Sequence, residues 1–79
     1  MESIKASRLS EERPGTIIVD EVHEVVYTIK STMIHGGRMY VECLTFTTDG
    51  RSYPSTWAYL PEDGELYVVS RPAPFSFTP

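Results

Sequence analysis

Residues 25–59 read VVYTIKSTMIHGGRMYVECLTFTTDGRSYPSTWAY, and this stretch decides the fold. It is rich in β-branched and aromatic residues and is interrupted twice by turn chemistry, first at Gly36 and Gly37 and again at Asp49 and Gly50. Glycine supplies the positive φ of a tight hairpin, so three strands in two successive hairpins are expected.

If those glycine pairs form two-residue loops, the opposed residues follow by counting. Across the first hairpin Met33 meets Tyr40, Ser31 meets Glu42, Ile29 meets Leu44 and Tyr27 meets Phe46. Across the second, Phe46 meets Tyr53, Leu44 meets Ser55, Glu42 meets Trp57 and Tyr40 meets Tyr59. One face is then aromatic and aliphatic, and the other, with Thr28, Thr32, Val41, Cys43, Thr45, Thr47 and Thr56, is threonine-rich and able to meet water. A one-residue slip in either hairpin inverts this sorting. Pro54 favours an edge or a bulge in the third strand.

Outward from this centre, Ile17, Ile18 and Val19 make a short strand, and residues 66–70 (LYVVS) make another after the turn at Pro61, Glu62, Asp63 and Gly64. The inward parity of that last strand does not follow from the sequence. Residues 1–15 are polar and mixed in charge and read as a flexible or partly helical arm. Residues 16–71 form the antiparallel β domain, and residues 72–79 form a Pro/Phe tail. The fold class is mostly β: a small antiparallel meander of about five strands, closed as a curled sheet or an SH3-like barrel, because a lone flat sheet leaves its apolar face wet.

At 79 residues the chain is one domain with a thin core. Its net charge of -4 disfavours general attraction to phosphates or anionic membranes and suits a basic partner surface. The single cysteine, Cys43, excludes an internal disulfide, and no basic n-region with an apolar run opens the sequence, so a cytoplasmic location is expected.

Cys43, mid-strand and without a neighbouring histidine, reads as a packed thiol. His23, His35 and Glu42 match no metal-ligand spacing, no nucleophile elbow or phosphate loop is present, and no catalytic residue, metal or cofactor is assigned. The counted register does place Ser31, Glu42 and Trp57 in one row on the apolar face. Such a carboxylate either reaches the rim or accepts hydrogen bonds from the serine hydroxyl and the indole N–H, lining a pocket.

The partner-binding residues expected first are Glu62, Asp63 and Glu65, with Asp20, Glu21 and Glu24 as a second acidic patch. Phe75 and Phe77, two apart in the tail, can add to a strand edge. Together these features describe a non-enzymatic protein-binding module that blocks a basic surface of a larger protein or complex. In size, charge and lack of catalytic motif the chain resembles the small inhibitors encoded by phages and mobile elements, anti-CRISPR proteins among them. One alternative is a small β-barrel that binds nucleic acid through Arg38, Arg51 and an arm carrying Lys5, Arg8 and Arg13, against which the net charge counts. Another is a small-ligand protein or enzyme built on Glu42. A homodimer through a sheet edge is a further expectation, since a short meander leaves edges open.

Overall fold

The computed structural model of the chain describes residues 1–73; Phe75 and Phe77 lie outside them. Six strands are formed: β1 (Glu2–Ile4), β2 (Ile17–Asp20), β3 (Val25–His35), β4 (Arg38–Phe46), β5 (Ser52–Tyr59) and β6 (Leu66–Ser70), with a 3-10 helix at Ala6–Glu11. They make one antiparallel sheet in the order β1-β6-β2-β3-β4-β5. Strands β2 to β5 are the expected meander; β6 then returns to lie between β1 and β2. The edges β1 and β5 do not pair, so of the two expected closures the sheet takes the curled, open one. No helix among the described residues is long and apolar enough to cross a membrane.

How far the sheet curls follows from one hydrogen bond. Asp20 lies level with Val25 at the start of β3, whereas Tyr59 lies level, through Met39, with Ile34 near its end. Those levels are ~30 Å apart along a straight strand at about 3.3 Å per residue. Yet the Tyr59 hydroxyl sits 2.6 Å from the Asp20 carboxylate. β3 must therefore bend, and the register breaks between Ile29 and Ser31, where Lys30 is the extra residue of a β-bulge.

That bulge also changes which residues meet. Beyond it Met33 faces Tyr40 and Ser31 faces Glu42, as counted, but before it Ile29 faces Cys43 and Tyr27 faces Thr45, one residue off the expected Leu44 and Phe46. The second hairpin is displaced throughout: Phe46 faces Ser52, Glu42 faces Thr56 and Val41 faces Trp57. Here the loop holds three residues rather than two. The Gly50 N–H donates to the Thr47 carbonyl, Gly50 alone takes a positive φ of 87°, and the Thr47 and Arg51 backbones pair. The Thr47 hydroxyl donates to Asp49 and accepts from the Arg51 N–H, which holds this longer loop.

The slip inverts β4. Met39, Val41, Cys43 and Thr45 face the core, while Tyr40, Glu42, Leu44 and Phe46 face outward, Phe46 being 41% exposed. The face expected to meet water is thereby split: Val41, Cys43 and Thr45 are buried, whereas Thr28 and Thr56 lie on the outward side opposite Leu44 and Glu42. Ile18, Tyr27 and Ile29 line the same core, and β6 contributes Leu66 and Val68, which settles its parity.

Residues 1–15 are built into this core. Ala6 and Leu9 of the 3-10 helix are fully buried against the concave face. The Ala6 and Ser7 N–H groups donate to the Asp63 and Pro61 carbonyls, and Arg71 bridges Glu2 and Glu12, bidentate to the latter. A helix this short does not persist alone; burial of Leu9 holds it.

Candidate functional site

The most elaborate polar arrangement lies where β2 turns into β3. The inward parity of β2 that buries Ile18 also buries Asp20, which is 1% exposed. Its carboxylate organises the turn: Oδ1 accepts the His23 backbone N–H at 3.0 Å, and Oδ2 lies 2.6 Å from His23 Nδ1. Glu24 then takes a positive φ of 57° and sends the chain into β3.

Two tyrosines complete the network. Tyr59 donates its hydroxyl to Asp20 Oδ2 and, with its proton so engaged, accepts from the Tyr27 hydroxyl at 2.9 Å. Burial pushes both phenols up, which keeps them protonated as donors. Burial also pushes the Asp20 carboxyl up. The Tyr59 hydroxyl and the His23 backbone and ring outweigh it and hold the carboxyl below its ordinary value. An ionised Asp20 fixes the proton of a neutral His23 on Nδ1 and leaves Nε2 as an acceptor. The imidazole is clamped against Trp57, at 4.8 Å between centroids and 39°, and edge-on to Tyr59 at 6.0 Å. Trp57 is fixed in turn by its N–H to the Thr45 hydroxyl at 3.2 Å.

Beside this network lies a cavity of about 260 Å³, walled by Asp20, His23 and Tyr59, with Val22, Asp63, Gly64 and Glu65 completing it. The loop after β5 reaches this position because β6 pairs with β2, and the Glu21 N–H donates to the Glu65 carbonyl at 3.1 Å. That bond joins the two acidic segments. Glu21, Glu24, Glu62 and Glu65 are exposed on two adjoining turns, and Asp63 is half-buried, its carboxylate accepting the Leu60 N–H. Lys5 flanks them through the bond between the Ala6 N–H and the Asp63 carbonyl. The walls offer carboxylate acceptors beside apolar surface from Val22 and Tyr59, a combination suited to a guanidinium or an ammonium on an alkyl stem.

The sequence-derived sites fare unequally. Glu62, Asp63, Glu65, Glu21 and Glu24 come together, whereas Asp20, expected beside them on the surface, is a buried hydrogen-bonding hub. The row of Ser31, Glu42 and Trp57 is broken. Ser31 donates to Glu42 at 3.3 Å, and both line an outward groove of about 450 Å³ with Met33, Tyr40 and Thr56. The three-residue loop puts Thr56 opposite Glu42 and turns Trp57 to the core side. Cys43 is buried beside Thr45 and Ser55. Sequence reasoning missed His23 and Tyr59 as partners of Asp20. An aspartate three residues before a histidine in a turn was the available signal, because aspartate side chains accept backbone N–H groups at that spacing. Compared with models of protein families, with curated proteins and with solved structures, the chain matches none.

Proposed function

We propose that the chain is a non-enzymatic protein-binding module whose acidic end docks on a basic surface of a larger protein. The observation that carries this reading is the junction of the two acidic turns through Glu21 and Glu65, beside a cavity with carboxylates in its walls. Carboxylates so grouped offer arginine and lysine side chains the same charge-assisted hydrogen bonds as a phosphate would. The rigid Asp20, His23, Tyr59 and Trp57 cluster holds one of these turns in place before binding, which lowers the ordering cost of association. An inhibitor that covers a basic site, in the manner of small phage-encoded proteins, is the specific form of this reading. The basic residues give the nucleic-acid alternative less support: Arg38 opens β4 at one end of the hairpin and Arg51 lies in the loop beyond its other end, Arg51 is paired with Asp49, and Arg8 with Glu11.

The test is affinity capture from a bacterial lysate, with and without nuclease, comparing the tagged chain with a variant carrying Glu21→Gln, Glu62→Gln and Glu65→Gln. A nuclease-resistant partner held about tenfold less well by the variant supports the proposal, three rim charges being worth roughly 0.5 kcal/mol each. Equal capture by both proteins, or capture lost on nuclease treatment, refutes it.

A further inference from the structure

Antiparallel ladders alternate: residues whose backbone groups face one neighbour are followed by residues whose groups face the other way. In the first hairpin Gly36 and Gly37 both take positive φ, 58° and 74°, and form a two-residue turn closed by His35 and Arg38. His35, Met33 and Ser31 therefore direct their N–H and C=O groups to β4, and Ile34 and Thr32 direct theirs away. On that side β2 begins at Ile17, opposite Thr28, and the chain before it bonds only as far as Ile29, through Gly15 and Thr16. Among the described residues nothing pairs with the outward groups of Thr32 and Ile34.

The other two edges are blunted. β1 is three residues long. In β5 the same alternation, read from the bond between the Thr47 N–H and the Arg51 carbonyl, puts Pro54 in the outward row, where a donor is missing. The free part of β3 has neither device, and it exposes Met33 at 61% and Ile34 at 67% on opposite faces.

We infer that this edge pairs with the same edge of a second copy, β3 against β3 in antiparallel register about a two-fold axis at Met33. The edge is self-complementary in that register. Thr32 and Ile34 of one copy meet Ile34 and Thr32 of the other, exchanging four backbone hydrogen bonds, and Met33 meets its own copy in the non-hydrogen-bonded pair between them. Thr32 packs on Ile34 across one face, Met33 on Met33 across the other, and no like charges are directly opposed. This pairing uses none of the acidic residues of the proposed docking end and stands whether or not that reading does.

The experiment uses the full chain and the variants Met33→Cys and Ile34→Cys, both at exposed positions. Facing residues of a non-hydrogen-bonded pair have Cα atoms about 4.5 Å apart, within disulfide reach. Two copies of position 34 would lie about 8 Å apart in this register, beyond it. Sedimentation of the unaltered chain should show its 8.9 kDa mass doubling as concentration rises. Mild oxidation should cross-link Met33→Cys and leave Ile34→Cys and the unaltered chain, whose Cys43 is buried, as single chains. A constant monomer mass without cross-linking overturns the inference. So does cross-linking at position 34 instead of 33, or a monomer whose Thr32 and Ile34 amides resist hydrogen exchange, which would mean that residues 74–79 cover the edge.

Discussion

Replacing Tyr59 by phenylalanine removes one hydroxyl and deprives two residues of a partner. Asp20 loses a donor at 2.6 Å, and the fully buried Tyr27 hydroxyl loses its acceptor at 2.9 Å. A hydrogen bond to a charged group contributes about 1.5–3 kcal/mol, and a buried hydroxyl left unpaired costs about 1–3 kcal/mol. With partial relaxation we expect a loss of about 3 kcal/mol, a large share of the roughly 4–12 kcal/mol available to a domain this size. The melting temperature should fall by about 12–24 °C. Trp57, the only tryptophan, stacks on His23 and reports unfolding in urea by its fluorescence. Tyr27→Phe removes the orphaned group itself, so the double variant should be less destabilised than the two single losses added together, by about 1–2 kcal/mol. The effect also carries a pH signature. Because the folded Asp20 carboxyl lies below its unfolded value, its contribution is present above about pH 4 and is lost as pH falls through the folded value. Tyr59→Phe removes a donor that holds the carboxyl down, so acid unfolding should begin at higher pH. A variant within about 0.5 kcal/mol of the parent, with an unshifted acid limb, would refute this reasoning.

Leu9→Ala should cost about 2–4 kcal/mol in chemical denaturation, because Leu9 is fully buried; a mobile arm would give almost no change. Thr16→Val should raise stability by about 1 kcal/mol, since the Thr16 hydroxyl is buried without a partner and valine keeps the shape; a loss would show that the hydroxyl is satisfied. Gly50→Ala should lower stability by about 1 kcal/mol, because Gly50 holds a positive φ of 87° that an L side chain adopts only under strain; thermal melts indistinguishable between the two proteins would contradict this.

Local chemistry made the hairpins legible, but it did not make their sorting legible. Gly36 and Gly37 fixed the turn and hence the pairs nearest it, Met33 with Tyr40 and Ser31 with Glu42. Lys30 carries no local mark of a bulge; it is extra because β3 must bend for Tyr59 to reach Asp20, a demand that arises only in the folded chain. The second loop was decided by side chains, those of Thr47 and Asp49, which hold a three-residue turn where Asp49 and Gly50 alone suggest two. The bulge exchanged the faces of β4 relative to Tyr27 and Ile29, and the longer second loop moved Trp57 away from Glu42; Thr45 became buried while Thr56 stayed exposed. A helical turn in residues 1–15 was open to reading, but its place in the core was not, because its stability comes from Leu9 meeting strands distant in sequence. The acidic residues could be named, but their union could not, because it depends on β6 returning to pair with β2.

If the joined acidic turns form the docking end, they alone should respond to a basic ligand. The most direct measurement titrates the isotope-labelled chain with an arginine-rich peptide and follows amide and indole resonances at low and at physiological salt. Saturable, salt-weakened shifts are expected at residues 21–24 and 60–65 and at the Trp57 indole. Shifts spread over every surface carboxylate, including Glu2 and Glu11, or centred on the groove beside Glu42, would contradict it.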